Sequence, residues 1–334
     1  VRKIALNSAY GAMANQYFAF FSIDMAEAIT LSGQLAIRWA EKIVNEYLNN
    51  VLKTEDEDYV IAIDTDSIYI TMDKLVQQVL PDAPKDKVID FLSKAETQIE
   101  DVLEKGFEDL ADYTNAFEQK MEMGREVIAD RGIWTAKKRY ILNVHDNEGV
   151  RLTTPKLKMM GIETAKSSTP LWVRKKLEEA LNVVMTGNEQ ELWQFVETAR
   201  KEFRNLPAED ASFPRGCRGL IQYQDPTTIY SKGTPIHVRG ALLYNHHLRE
   251  KSLDMRYETI KNGEKIHFTY LTTPNPINEN VISFTSVLPK EFDLHRFVDY
   301  DMQFDKSFVE PLKAIVQLIN WNVEPIASLD SFFS

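Results

Sequence analysis

Cysteine is almost missing from this sequence, since Cys217 is the one cysteine in 334 residues. A single thiol cannot form an internal disulfide, which excludes the disulfide-stabilised secreted domains and favours a reducing compartment. The chain also lacks an N-terminal basic-plus-apolar signal and an apolar run of the ~20 residues that a membrane-spanning helix needs. We therefore expect a soluble cytoplasmic protein that has no membrane partner.

Positive charge is scarce as well, because 39 Lys and Arg residues face 50 Asp and Glu residues and leave a net charge of −11. Such a total argues against a nucleic-acid binder, but the charges are unevenly distributed. Residues 46–126 hold 8 basic and 21 acidic residues, whereas residues 127–251 hold 20 and 14. We interpret most of the acidic surplus as solvated helix faces, such as residues 96–101. The basic surplus is compatible with an anionic partner for the second half of the chain.

Two short apolar runs flank a pair of carboxylates between Tyr59 and Thr71. Their β-branched and aromatic residues predict two antiparallel strands joined by a tight turn. Because side chains alternate along a strand, Asp64 and Asp66 can lie on one side if the bend stays extended. Paired carboxylates on a rigid turn are ligands that Mg²⁺ prefers. An ordinary turn stabilised by Asp side chains is the alternative.

The opening segment, residues 1–15, is rich in helix formers and has no cap residue before it, which predicts the interior of a helix that begins upstream. Lys3, Asn7 and Tyr10 fall on one face of that helix, beside Gly11. A lysine can hold a phosphate as a point charge, and a glycine lets a flat ring approach the backbone. A solvent face with a tolerated glycine is the alternative.

A basic triplet at residues 137–139 runs into an aromatic residue and an apolar strand. Three cations beside a ring, held at the start of a strand, suit a phosphate backbone, although charge runs are more often solvated faces. Residues 151–158 add positive charge and predict a partner strand across a turn at 147–149. The residues that we expect to contact nucleic acid are Lys137, Lys138, Arg139, Tyr140, Lys156 and Lys158.

Periodicity and turn residues predict the remaining elements. Helices are expected over 25–50, over 72–124 with a loop at Pro81 and Pro84 and a weak point at Gly106, over 170–186, over 189–205 and around 304–318. Thr169 is expected to cap the third of these helices. A strand over 122–129 would bring Glu126 near the acidic hairpin. Residues 206–292 are expected to be mixed, with short strands and with four of the six histidines in structural or surface roles.

The last ten residues are apolar at a chain end, where disorder is the default. Leu329 and the pair Phe332-Phe333 form a small hydrophobic plug that could fill a pocket on a partner. Packing back onto the chain's own domain is the alternative.

Together these motifs resemble the family B DNA polymerases, most closely their phage members. The opening Lys3-x-x-x-Asn7-Ser8-x-Tyr10-Gly11 is similar to the family's fingers-helix motif, and Asp64-Thr65-Asp66-Ser67 is similar to its palm motif. Residues 137–140 resemble its primer–template motif, and residues 155–170 and 236–240 resemble stretches of the phage enzymes. The matches follow the family's order and span nearly the whole chain.

The resemblance implies an α+β fold that corresponds to the C-terminal half of such a polymerase. Residues 1–18 would form the C-terminal half of the fingers helix, and residues 19–161 a palm with an antiparallel sheet and flanking helices. Residues 162–324 would form a mostly helical thumb, and residues 325–334 a clamp-binding tail.

The resemblance also implies site roles. Asp64 and Asp66 would hold two catalytic Mg²⁺ ions, with Glu126 as a further candidate in a segment where Gly124 replaces a family aspartate. Lys3 would contact the phosphates of an incoming dNTP, while Asn7, Tyr10 and Gly11 would line the nascent base-pair pocket. The basic residues would track the primer–template DNA. Leu329, Phe332 and Phe333 would dock a sliding clamp, although Ile326 stands where many clamp peptides have glutamine.

One family motif has no counterpart here, a palm aspartate in an Asp-x-x-Ser-Leu-Tyr-Pro-like segment, and the proofreading exonuclease is missing as well. We therefore expect DNA-directed DNA polymerase activity only together with a separate N-terminal chain that carries both. A non-catalytic subunit that grips DNA and docks a sliding clamp is the alternative hypothesis. A Mg²⁺-dependent sugar-nucleotide transferase that uses Asp-x-Asp is a third.

Overall fold

The computed structural model describes residues 2–162, 167–225 and 229–325. Helices and small antiparallel sheets alternate along this part of the chain, which confirms the α+β prediction. The helices are α1 Arg2–Met13, α2 Ile23–Leu52, α3 Asp73–Val79, α4 Lys85–Tyr113, α5 Leu171–Thr186, α6 Glu189–Phe203, α7 Ala208–Ala211, α8 Ile236–Glu250, α9 Tyr300–Phe304 and α10 Glu310–Val316. The strands are β1 Val60–Asp64, β2 Ser67–Ile70, β3 Val127–Ala136, β4 Arg139–Asn147, β5 Val150–Met160, β6 Phe213–Gly216, β7 Lys265–Tyr270 and β8 Val281–Phe284.

The chain divides into two compact units. Unit 1 comprises Val1–Asp130 and Val144–Lys156, and unit 2 comprises Arg131–Asn143 and Leu157–Ser334. The strands β3, β4 and β5 lie side by side in that order and contribute residues to both units. Their connections at 137–138 and 148–149 have two residues each, which is long enough for antiparallel neighbours and too short for a parallel crossover.

Unit 1 is built on the contact between α2 and α4. Ala36, Ala40, Val44, Leu48 and Leu52 recur every four residues on α2 and are buried in this contact, which forms one continuous apolar stripe. The predicted helix over 25–50 is confirmed by α2. The predicted helix over 72–124 is confirmed in part: α3 and α4 are separated at the two prolines, as expected, but the chain leaves helical structure at residue 114.

The helix α4 continues through Gly106 without a break. A Cβ at this position would lie 2.2 Å from the Ile43 Cδ1 atom, so the glycine lets α2 approach closely. The Trp39 indole Nε1 donates to the Gly106 carbonyl oxygen at 2.9 Å and ties the two helices together there. The glycine is explained by helix packing rather than by a break in the helix.

The first core of unit 2 lies among α5, α6, α9 and α10. Its rings include Phe203, Phe304 and Phe308, all completely buried. The predicted helices over 170–186 and 189–205 are confirmed, but Thr169 does not cap α5. Pro170 keeps an extended ψ of 144°, so the helix begins at Leu171 and Thr169 lies one residue too early to cap it.

The second core of unit 2 lies between α8 and the antiparallel sheet β6-β7-β8. The prediction of short strands over 206–292 is confirmed, but it missed the 15-residue helix α8. This helix contains Gly240, Asn245 and three histidines, which are weak helix formers. It is held by packing, since Val238, Tyr244 and Leu248 are completely buried against the sheet. In the described ranges, no helix has the length and apolarity required to cross a membrane.

Candidate metal centre and nucleic-acid interface

The acidic hairpin forms as the sequence predicts. β1 and β2 pair antiparallel with Ile63 opposite Ile68 and Asp64 opposite Ser67, which leaves Thr65 and Asp66 as a two-residue turn. Ile63, Ile68 and Ile70 pack against the α2–α4 core. The apolar runs therefore fix the hairpin to unit 1 and leave the acidic turn at its tip.

The start of β1 is anchored by a side chain of α2. Asn45 Oδ1 accepts hydrogen bonds from the backbone N–H groups of Tyr59 (2.8 Å) and Val60 (3.1 Å). At the other end of the pair, the Thr71 N–H donates to the Tyr59 carbonyl oxygen at 2.8 Å. These contacts leave little freedom for the hairpin to move relative to α2.

The bend at the tip is tighter than expected. Thr65 has a φ of +59°, and the Asp66 N–H donates to the Asp64 carbonyl oxygen at 2.7 Å, which closes a three-residue turn. The condition that the chain stays extended between the two aspartates is not met, so strand alternation does not decide the directions of their side chains. The two carboxylates lie close in the chain at the tip of the hairpin, one at the end of β1 and one in the turn.

The donor set at the tip fits Mg²⁺. Asp64 is half-buried at the end of β1, where the Thr65 Oγ1 donates to its Oδ1 at 3.1 Å, and Asp66 is exposed. Mg²⁺ is usually held by one or two carboxylates together with waters and substrate phosphates, and two carboxylates with open surroundings suit that pattern. Over the described residues, no third Asp, Glu, His or Cys joins Asp64 and Asp66 with ligand atoms within 4.8 Å of one another.

Glu126 is exposed and directly precedes β3, where its carbonyl oxygen accepts a hydrogen bond from the Glu148 N–H at 2.7 Å. The strand predicted over 122–129 begins only at Val127. Glu126 therefore lies at the strand entrance, and the structure does not group it with the hairpin carboxylates.

Its neighbour Arg125 has a role that sequence reasoning missed. The largely buried guanidinium donates from Nε to Glu96 (2.5 Å) and from Nη1 to Asp146 (2.5 Å), while the Arg125 N–H donates to Glu100 (3.0 Å). The pKa of Arg125 is raised: burial opposes its charge, but the hydrogen bonds to Asp146 and Glu96 outweigh that effect. Glu96 and Glu100 thus hold the segment before β3, and the interpretation of residues 96–101 as a solvated face is wrong for these two.

The predicted opening helix is confirmed by α1. Asn7 and Tyr10 are exposed on it, and a Cβ at Gly11 would meet no atom within 4 Å. This face is accessible to a ligand as far as the described side chains show. The side chain of Lys3 lies outside them.

The basic triplet lies at the turn between β3 and β4. Lys137 and Lys138 form the turn and are exposed, and the Arg139 Nε donates to the Gly161 carbonyl oxygen at 3.1 Å. Tyr140 is only 6% exposed, and its ring lies 6.5 Å from that of Trp134. A phosphate could therefore reach the two exposed lysines of the turn. The Tyr140 ring is instead packed inside the protein, where it anchors the start of β4.

The predicted partner strand is confirmed by β5, on which Lys156 is exposed and Lys158 is half-buried. The third cation of this segment is used differently. Arg151 forms ion pairs with Asp86 (3.2 Å) and Asp90 (2.5 Å) at the start of α4, so its charge is neutralised within unit 1.

Two of the histidines of unit 2 contact aromatic rings, as the expected structural role requires. The rings of His237 and His267 contact Phe268 and Phe284. At the end of α8, His246 and His247 lie with Glu250 so that their ligand atoms are within 4.8 Å of one another, and the His247 Nδ1 is 2.9 Å from a Glu250 carboxylate oxygen. The expected clamp residues Leu329, Phe332 and Phe333 lie outside the described residues.

Comparison with known proteins tests the resemblance. The model of DNA polymerase family B matches residues 1–83, which include both the α1 motif and the acidic hairpin. The chain is 35% identical over 347 residues to the DNA-directed DNA polymerase of Enterobacteria phage T4, and 36% identical over 348 residues to that of Escherichia phage RB69. Each alignment covers 99% of this chain and 38% of the relative.

The resemblance to the family B DNA polymerases is thereby confirmed. It extends over 99% of the chain rather than over the motifs alone. The chain spans 38% of the length of these phage relatives, so it corresponds to one part of a family B polymerase.

Proposed function

We propose that this chain supplies the Asp64–Asp66 part of the metal centre of a template-directed DNA polymerase. The reaction is attack of a primer 3′-hydroxyl on the α-phosphate of a dNTP, with release of pyrophosphate. The observation that supports this most is a rigid hairpin that carries two carboxylates at its tip, in a chain similar over 99% of its length to enzymes named DNA-directed DNA polymerase.

Asp64 and Asp66 would be ligands of two Mg²⁺ ions, with Glu126 as a further candidate. Bound Mg²⁺ lowers the pKa of an attacking hydroxyl and offsets charge on the attacking and leaving oxygens. This chain would contribute by positioning the two carboxylates. The hydrogen bonds from the start of β1 to Asn45 fix the strand on α2, and with it the tip that carries them. The palm aspartate that the family requires has no counterpart here, so it must come from polymerase sequence outside these 334 residues.

The other assignments follow from the resemblance of the sequence motifs to those of the family, and among the described residues Asn7, Tyr10, Lys137, Lys138 and Lys156 are exposed. Lys3, Asn7, Tyr10 and Gly11 would bind the incoming dNTP along one face of α1. The cations at 137–139, together with Lys156 and Lys158, would bind the phosphate backbone of primer–template DNA. The segment 325–334 would dock a sliding clamp. If a phage genome encodes the chain, its site of action is the cytoplasm of the host cell.

Primer extension by the reassembled enzyme tests the proposal. The purified chain is mixed with the complementary N-terminal polypeptide, which carries the exonuclease and the remaining palm aspartate. We expect extension only with both polypeptides and Mg²⁺. Asp66→Ala should lower the rate on the order of a thousandfold or more, because a lost metal ligand removes transition-state stabilisation. Binding of primer–template DNA should be retained.

Asp109→Ala is the matched control, because Asp109 is an exposed carboxylate of the same unit, on α4. This variant should extend primers at the wild-type rate. Near-normal turnover by Asp66→Ala would contradict the metal assignment.

A second candidate function is a non-catalytic subunit that grips DNA and docks a sliding clamp. The exposed lysines of the β3–β4 turn favour it, and so does the lack of a third ligand beside Asp64 and Asp66 in the described residues. This function predicts duplex binding that weakens steeply with salt, and no metal-dependent extension even with the complementary polypeptide present.

A further inference from the structure

The C-terminal end of helix α8 carries three side chains of types that bind metal ions. His246, His247 and Glu250 each offer one ligand atom, and these atoms lie within 4.8 Å of one another. Over the residues that the structure describes, no other group of three His, Cys, Asp or Glu side chains has its ligand atoms this close together. The cluster lies in unit 2, and the proposed polymerase chemistry does not use it.

The spacing of these residues along the helix explains why they meet. Glu250 follows His246 by four residues and His247 by three, and side chains three or four positions apart are neighbours on a helix surface. The His247 Nδ1 is 2.9 Å from the Glu250 Oε2, and the centroids of the two imidazole rings are 5.1 Å apart. One turn of helix therefore presents two nitrogen ligands and one oxygen ligand side by side.

The fold holds this turn of α8 in place. Tyr244 and Leu248 precede and follow the two histidines in the chain, and both are completely buried in the core between α8 and the β6-β7-β8 sheet. The His247 side chain is only 13% exposed, and its ring lies 6.1 Å from the buried ring of Phe292. The ligands are thus attached to a rigid helix, and a preorganised set of ligands loses less conformational entropy when it binds.

The cluster is accessible from solvent. His246 is exposed, and the Glu250 side chain is 59% exposed. An ion can therefore reach the three ligand atoms without a change in the fold, and water can complete its coordination.

The types of ligand atom indicate the class of ion. Zn²⁺ binds histidine nitrogen at about 2.0–2.1 Å and carboxylate oxygen at about 2.0–2.2 Å, and two histidines with one glutamate form a zinc ligand set whose fourth position takes water. These bond lengths place neighbouring ligand atoms about 3.3–3.5 Å apart, which small side-chain rotations can reach here. Mg²⁺ and Ca²⁺ prefer oxygen ligands, so two imidazoles disfavour them.

An ion pair at the helix end is the simpler use of the same residues. A protonated histidine in the last turn of a helix interacts favourably with the helix dipole, and it can pair with a carboxylate. Such a pair needs only His247 and Glu250, and it gives no role to the second imidazole beside them. A bound cation uses all three side chains, which is why the complete cluster favours a metal site.

We propose that His246, His247 and Glu250 bind a divalent transition-metal ion of the Zn²⁺ class, with water in the open coordination position. The bound ion links the side chains of the last turn of α8 and stabilises that end of the helix, because an ion that binds only the folded state raises its stability. The proposal is independent of the proposed function, since it uses only residues of unit 2 and their geometry.

Titration of the purified 334-residue chain with Zn²⁺, without a polyhistidine tag, tests the proposal. Isothermal titration calorimetry is carried out in excess Mg²⁺, which competes at sites made only of carboxylates, such as the one proposed at the hairpin tip. We expect one Zn²⁺ to bind per chain. His246→Ala and Glu250→Gln should each lower the affinity by about tenfold or more, because even a residue that only supports a metal ligand contributes about 10- to 100-fold.

His295→Ala and Glu258→Gln are the matched controls, because both side chains are exposed in unit 2 outside the cluster. They should bind Zn²⁺ with wild-type affinity. Zn²⁺ should raise the melting temperature of the wild-type chain and of the controls, but not that of His246→Ala or Glu250→Gln. Without metal, His246→Ala should melt at the wild-type temperature, which separates loss of binding from loss of folding.

Wild-type Zn²⁺ affinity in His246→Ala or Glu250→Gln would overturn the proposal, and so would a wild-type chain that binds no Zn²⁺. An ion pair alone would lower the melting temperature of metal-free Glu250→Gln while Zn²⁺ shifted no melting temperature, and this result would also contradict the metal site. Displacement of Zn²⁺ by an equal concentration of Mg²⁺ would show that oxygen ligands hold the ion, and the assignment to the two histidines would fail.

Discussion

The N-terminal region, residues 4–35, and unit 2 differ in how they are stabilised. Unit 2 has two cores of its own, with rings such as Phe203 and Phe304 completely buried among its helices. The N-terminal region has almost none, since of its described residues only Ala26 is buried. The buried cores and the proposed chemistry therefore lie in different places, because the proposed dNTP face is on α1, whose side chains from Ile4 to Tyr10 are all exposed.

The acidic hairpin is intermediate between these two regions in how much of it is buried. Its apolar side chains are packed on the α2–α4 core, while its tip is open. The apolar side chains fix the position of the tip, while Asp64 is half-buried and Asp66 is exposed. This separation predicts opposite responses to substitution in the two regions.

The largest effect on stability is expected from Phe304→Ala in unit 2. The ring is completely buried, with centroids 5.3 Å from Phe203 and 4.8 Å from Phe308, so truncation leaves a cavity that should cost about 3–5 kcal/mol. Urea unfolding followed by tryptophan fluorescence measures this. The matched control Phe20→Ala, in the N-terminal region, should cost about 0.5 kcal/mol or less. Equal losses at the two positions would contradict the comparison.

The next largest effect is expected in unit 1, where buried ion pairs of Arg125 stabilise the segment before β3. Arg125→Ala removes the partner of Glu96 and of the nearly buried Asp146 side chain, which should destabilise the segment by about 3 kcal/mol. Arg38→Ala is the control, because its ion pair with Glu41 is exposed and should contribute no more than about 1 kcal/mol. Hydrogen exchange of the peptides around β3 and β4 reports the difference, and unchanged protection in Arg125→Ala would refute the structural role.

A pair of glycines should respond with opposite signs. A Cβ at Gly240 would lie 2.9 Å from the Ser283 backbone nitrogen, so Gly240→Ala forces α8 away from β8 and should cost about 1–3 kcal/mol. Gly33 is exposed in α2, where an added Cβ would meet no atom within 4 Å, and Gly33→Ala should stabilise by roughly 0.5–1 kcal/mol through helix propensity. Thermal unfolding of both variants decides, and two changes of the same sign would contradict this account.

The smallest effect on stability is expected at the hairpin tip. Asp66 is exposed in a two-residue turn, so Asp66→Ala should change the free energy of unfolding by no more than about 0.5 kcal/mol. The same substitution is expected to have the largest effect on the rate of primer extension. A strong loss of stability in Asp66→Ala would mean that the tip is a structural turn, and the separation of chemistry from stability would not hold there.

Sequence by itself determined the elements whose cause is local. The apolar runs around Asp64 and Asp66 predicted the hairpin, the apolar periodicity predicted α2, and Gly187-Asn188 predicted the break between α5 and α6. Each of these rests on residues close together in the chain, where turn chemistry and helical spacing act directly. The order of the motifs along the chain also predicted the resemblance to the family B DNA polymerases.

Tertiary structure decided what depends on distant partners. The weak helix formers of α8 are helical because the β6-β7-β8 sheet covers them, and Gly106 is accommodated because Ile43 lies beside it. Arg125 is held by carboxylates that are 21 to 29 residues away in the sequence. The sequence alone does not distinguish such a buried arginine from an exposed surface cation. Packing and desolvation act between segments that the sequence order does not bring together, so only the fold shows which polar residues are buried with partners and which apolar residues remain uncovered.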